Sequence, residues 1–137
     1  MRRKVPKLQS VSQKLLRLYP MELTNEDMNF LFLSMRDLFE EIKDGKIQES
    51  LDSPKREFIS YVHDLAMRLL DSESNIIELD ICDLQIIKLL TEQYQELYNC
   101  YFSKREQMEY RKFYFDGIGL KEKAQSLHNN IHEDAFR

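Results

Sequence analysis

Apolar residues recur at spacings of three and four through most of this chain, the signature of helices that bury one face. Met28, Leu31, Phe32, Met35, Leu38, Phe39 and Ile42 share an arc of about 120° at 100° per residue. Thr24, with Asp27 three residues on, caps the start of this helix. Gly45 is suited to the turn that ends it. Phe30 and Leu33 fall on the opposite side, beside Asp37, as a second apolar spot. Another helix of the same fold or another molecule must cover it.

Three further helices follow from the same reading. Leu8, Val11, Leu15 and Leu18 predict one from about Leu8 to Tyr19, stopped by Pro20. Ser53 and Pro54 open another. Its apolar residues, from Phe58 to Leu70, cover about half the circumference, which predicts a central position. After a break at Asp71 to Asn75, Asp80 caps the last of the three, with a broad apolar face from Leu84 to Phe102. That stripe then fails. Ser103 and Glu106 form a further capping box, so the helix either breaks there or runs on as a rod with new neighbours. Asp116-Gly117-Ile118-Gly119 is expected to end it in both cases. Leu120, Ala124 and Leu127 allow one short helix beyond, before a frayed end.

The capping stretches Glu22 to Met28 and Glu78 to Leu84 resemble each other. A shift of 56 residues matches Glu22 with Glu78, Leu23 with Leu79, Asp27 with Asp83, Leu33 with Leu89 and Glu40 with Glu96. Two duplicated hairpins would give such matches. Capping and heptad-like spacing give them as well, and that is the reading adopted from sequence.

Composition narrows the class. With 137 residues, 42% of them hydrophobic, the chain can bury one core without staples, and three Gly with three Pro leave long uninterrupted stretches. Cys82 and Cys100 lie in helical surroundings without a disulfide framework, which points to a reducing compartment and a cytoplasmic location. No apolar run approaches the roughly 20 residues of a membrane span. The net charge of −4 is uneven: residues 1–20 hold six bases and no acid, and residues 21–100 hold 18 acids and 7 bases. A basic, acid-free start can pack on the acidic body of its own chain, lie on a membrane surface, reach a phosphate backbone, or serve as an organelle presequence. The first is preferred, because it needs no partner.

Candidate chemistry is sparse. Arg56 and His63 lie seven residues apart, on one face of the helix opened by Ser53. That pair resembles the Arg-x4-6-His signature of HEPN-type ribonucleases, all-helical proteins whose paired motifs meet at a dimer cleft. The resemblance implies His63 as proton-transfer catalyst and Arg56 as stabiliser of phosphorane charge. Glu57 stands where the family commonly has Asn or His. His128 and His132 are spaced like helical metal ligands, but no third ligand is fixed, so no metal and no cofactor is assigned. Aromatics between Tyr101 and Phe115 interleave with Lys104, Arg105, Arg111 and Lys112, a composition able to stack bases and hold phosphates.

The sequence therefore predicts an all-α fold: an antiparallel bundle of four main helices with a short C-terminal helical appendage. Residues 1–7 form a basic arm, 8–116 the bundle, and 117–137 a partly disordered C-terminal segment. The expected function is a non-enzymatic adaptor, inhibitor or regulatory subunit, prone to self-association. Phe30, Leu33, Tyr110, Phe113 and Tyr114 are its expected contact residues. The alternative is nucleic-acid binding through Arg2, Arg3, Lys4, Lys7, Lys104, Arg105, Arg111 and Lys112, with a HEPN-like ribonuclease behind it.

Overall fold

A computed structural model describes residues 17–43 and 53–136. The chain is mostly helical with one small antiparallel sheet. In order it forms β1 (Tyr19–Glu22), α1 (Asn25–Lys43), α2 (Ser53–Asp71), β2 (Ile76–Leu79) and α3 (Ile81–Glu96). A π turn (Leu97–Tyr101), α4 (Lys104–Glu109) and α5 (Arg111–Ala135) complete it.

Local hydrogen bonding explains the helix starts. The Thr24 hydroxyl accepts from the Asp27 N–H at 3.1 Å while Asp27 accepts from the Thr24 N–H at 3.0 Å. Asp80 and Asp83 make the same exchange at 2.8 and 2.9 Å. Ser103 and Glu106 repeat it at 3.2 and 3.0 Å, so the helix does break where its stripe fails. Each box satisfies two N–H groups that a helix start otherwise leaves open.

The strands were not expected. Arg17 and Leu18 are outside any helix and Tyr19 already belongs to β1, so the helix expected to reach Tyr19 does not; the rest of it lies outside the described residues. Met21 and Ile77 face the core while Glu22 and Ile76 face out, the alternation of a half-buried strand. Four residues are too few for that period to stand out in the sequence.

The register carries more information than the strands themselves. Met21 pairs with Ile77, its counterpart under the 56-residue shift. Antiparallel pairing of equivalent residues is what a local two-fold axis produces. Leu23 and Leu79 are both fully buried, and so are Leu31 and Ile87. Asp27 receives the Lys123 ammonium of α5 at 2.7 Å, and Asp83 receives the Arg68 guanidinium of α2. Each capping carboxylate thus takes a cation from the second helix of the other half. α2 and α5 correspond with a shift of 55, which also superposes the buried Leu65 on Leu120 and Leu69 on Ala124.

α1 and α3 form the centre, each touching the other as well as α2 and α5. This corrects the central place expected for the helix opened by Ser53: Tyr61 and Leu70 on its broad apolar face are exposed. The expected stop at 116–119 is also absent. α5 runs unbroken through Gly117 and Gly119, and Leu120, Ala124 and Ile131 join the same core as α1 and α3. The C-terminal part is therefore not an appendage. At Gly117 the Phe30 ring fills the place that a side chain would need.

Candidate partner-binding surface

At the far end of α3 the backbone makes a corner. The π turn closes with the Phe102 N–H donating to the Leu97 carbonyl at 3.1 Å, and Phe102 itself is extended. The Ser103 box then restarts the helix, and Tyr110 separates α4 from α5. A π turn shifts the side chains after it off the face they would otherwise share, which is why the α3 stripe ends here.

Two layers of apolar side chains build the corner. In the inner layer Phe113 stacks on Phe30 with ring centroids 4.8 Å apart and meets Tyr94 edge-on at 4.9 Å. Tyr98 stacks on Tyr114 at 3.9 Å, its hydroxyl donates to the Gln107 carbonyl at 2.7 Å, and the Gln107 amide returns a bond to the Tyr98 carbonyl at 2.8 Å. The Tyr98–Gln107 bonds fix α4 against the π turn although no residue of α4 is buried. The outer layer is open to solvent: Tyr101 is 73% exposed, Met108 80% and Phe115 53%.

Electrostatics follow the same division. Burial, with smaller contributions from Tyr110, Tyr98 and Asp37, pushes the Tyr94 phenol up to about 12. Its hydroxyl is buried and has no hydrogen-bond partner among the described residues. The Glu106 carboxyl is lowered by its bonds to Ser103, so it stays ionised as a cap. Lys104, Arg105, Arg111 and Lys112 are all exposed around the corner. Arg111 lies over the Phe115 ring at 5.7 Å, and Lys112 is paired with Asp116 at 3.1 Å.

The residues expected to make contacts divide accordingly. Phe30 is fully buried, so the spot expected on the far side of its helix is covered from within by Phe113 and Gly117. Leu33 and Phe113 are half-buried, and Tyr114 is half-buried under its stack with Tyr98. Tyr110 is exposed and edges Phe102 at 5.6 Å. Tyr101, Met108 and Phe115, which the helical pattern does not mark as contact residues, are the more exposed. The capping box at Ser103 was the signal that could have found them, because a restarted helix resets which residues face the core.

Other candidates lie elsewhere. Arg2, Arg3, Lys4 and Lys7 fall outside the described residues, as does the side chain of Arg56. His63 is exposed on α2 with its ring 6.2 Å from Phe39. His128 faces Lys88 at 3.3 Å, and His132 faces Phe136. Among the described residues no group of three or more His, Cys, Asp or Glu side chains is placed to hold a metal ion. No described helix is long and apolar enough to cross a membrane. Cys82 and Cys100 are exposed and not joined in a disulfide. The chain matches no known protein family, no curated protein and no solved structure.

Proposed function

We propose that this protein is a non-enzymatic interaction module, an adaptor, inhibitor or regulatory subunit, whose partner surface is the aromatic corner between α3 and α5. One observation carries the reading: Tyr101, Met108 and Phe115 project from a corner whose backbone is pinned by the reciprocal Tyr98–Gln107 bonds. Large apolar side chains held open on a rigid support bind with little ordering cost, and aromatics are enriched among the residues that dominate such interfaces. In this reading α1, α2, α3 and α5 are the four members of an antiparallel bundle, self-association is one form the contact takes, and the location is cytoplasmic.

The test is the double variant Tyr101→Glu/Met108→Glu. Both residues are exposed, so the thermal unfolding midpoint stays within a few degrees of the parent. Self-association, or capture of a specific partner from source-cell lysate, is lost. Undiminished association would remove the corner from the interface.

The exposed Lys104, Arg105 and Arg111 beside the same rings support a second reading, a nucleic-acid surface. Its mark is affinity for single-stranded RNA or DNA that falls steeply with salt and weakens in Arg105→Ala/Arg111→Ala.

A further inference from the structure

The local two-fold relation exposes an inequality between the halves. α3 and α5 pack along an extensive seam, whereas α1 and α2 touch only slightly. Among the described residues a groove of about 340 Å³ is open between α1 and α2, with Phe32, Met35, Phe39, Ala66 and Leu70 along it and Arg36 and Glu40 at its edge.

The corresponding places in the other half are polar. Lys88 stands for Phe32, Thr91 for Met35 and Gln95 for Phe39, while on α5 Lys121 stands for Ala66 and Gln125 for Leu70. There the polar groups bridge the two helices: Lys121 donates to Gln95 at 3.1 Å and pairs with Glu92 at 3.6 Å. Thr91 is buried there, and the other polar side chains are half-exposed, so the same helix pair can be finished with polar groups along its open edge. Met35 and Ala66 belong to the buried core, but Phe32 and Phe39 are only half-buried and Leu70 is exposed, and these three side chains stand where the other half uses polar residues. They are what an apolar occupant requires.

Beyond the function proposed for the corner, we propose that the groove is the docking site for residues 8–16 of the same chain. That stretch carries Leu8, Val11 and Leu15 at spacings of three and four, and Lys14 is its only charged residue. A nearly neutral, one-sided apolar segment suits a floor of Phe, Met, Ala and Leu. Leu18, three residues after Leu15, is exposed just before β1, so the apolar spacing arrives at the folded body uncovered. Residues 8–16 lead directly into Arg17 and reach up to about 30 Å when extended. Tethering makes the encounter intramolecular, which favours this occupant over a free partner of equal affinity.

The test uses the full chain with a photo-reactive benzophenone side chain at position 15, in an equal mixture of heavy- and light-isotope protein. The proposal expects cross-links from position 15 to peptides of α1 and α2 around the groove, within one chain. Heavy–light cross-links would assign the groove to a second copy and overturn it, as would cross-links confined to other surfaces or none above background. A second measurement covers a fold that tolerates the label poorly. With Cys82→Ser and Cys100→Ser, the thiol of Leu70→Cys is expected to react at least about tenfold faster when Val11→Glu/Leu15→Glu is added. An unchanged rate overturns the proposal.

Discussion

The ring of Phe30 occupies the space that a side chain on residue 117 would need. A β-carbon built on Gly117 stands 2.5 Å from Phe30 Cε2 and 2.8 Å from Cζ, closer than real carbons approach. The same Phe30 ring is the base on which Phe113 and Tyr94 pack, so α1, α3 and α5 meet at one point. Gly117→Ala is expected to lose about 1–3 kcal/mol through this overpacking, partly offset by up to ~1 kcal/mol of helix propensity. Gly119, two residues on, has nothing within 4 Å of its missing side chain, and Gly119→Ala is expected to gain up to ~1 kcal/mol. Urea unfolding of the two variants checks the sign, and equal effects would contradict this packing.

The ion pair between halves gives a second contrast. Asp27 is buried, caps α1 and takes Lys123, which also donates to the Glu22 carbonyl at 3.0 Å. Removing the cation leaves a carboxylate with little access to water. Lys123 itself keeps partial exposure, so Lys123→Met is expected to cost about 1–3 kcal/mol, below a fully buried pair. Lys121→Met, whose carboxylate partner Glu92 is largely exposed, is expected to cost less than ~1 kcal/mol. Denaturant midpoints at constant pH separate the two.

Tyr94 on α3 and Tyr98 in the π turn lie four residues apart with opposite hydroxyl environments. Tyr98 donates to Gln107, and Tyr98→Phe is expected to cost about 1 kcal/mol and loosen α4. Tyr94→Phe removes a buried hydroxyl without a described partner and is expected to leave stability unchanged or raise it by up to ~1 kcal/mol. In an ultraviolet titration of the folded protein the phenol step at about 12 should vanish in this variant.

Acid sensitivity has a named contributor in His128. Burial lowers its pKa below the usual 6.5, and Lys88 and His132 lower it further. The folded state therefore favours neutral imidazole, able to accept from Lys88. Its contribution is present above the unfolded-state value and is lost as pH falls through the folded one. His128→Gln is expected to flatten part of the decline in melting temperature between pH 7 and pH 5. An identical decline in parent and variant would show that the imidazole is not the group responsible.

Much of the architecture is legible in single segments, and the misses share a cause. All three capping boxes stand where Thr24, Asp80 and Ser103 indicate, because each is closed by hydrogen bonds spanning three residues. The two strands leave no mark in the local pattern, because each is four residues long and exists only through the other, 58 residues away at the Pro20–Glu78 pair. The aromatic corner was half visible. Tyr110, Phe113 and Tyr114 stand out because they leave the α3 stripe, while exposure of Tyr101, Met108 and Phe115 depends on where the π turn redirects the chain.

The sequence by itself determined where α1 to α4 begin and that helix dominates, since capping and periodicity are properties of neighbours along the chain. Only the tertiary structure decided that Phe30 is core, that α5 passes through two glycines without stopping, and that the 56-residue echo reflects a spatial two-fold. Those outcomes rest on contacts between residues far apart in sequence. A glycine that would end an isolated helix becomes, beside Phe30, the one residue small enough to let two helices meet.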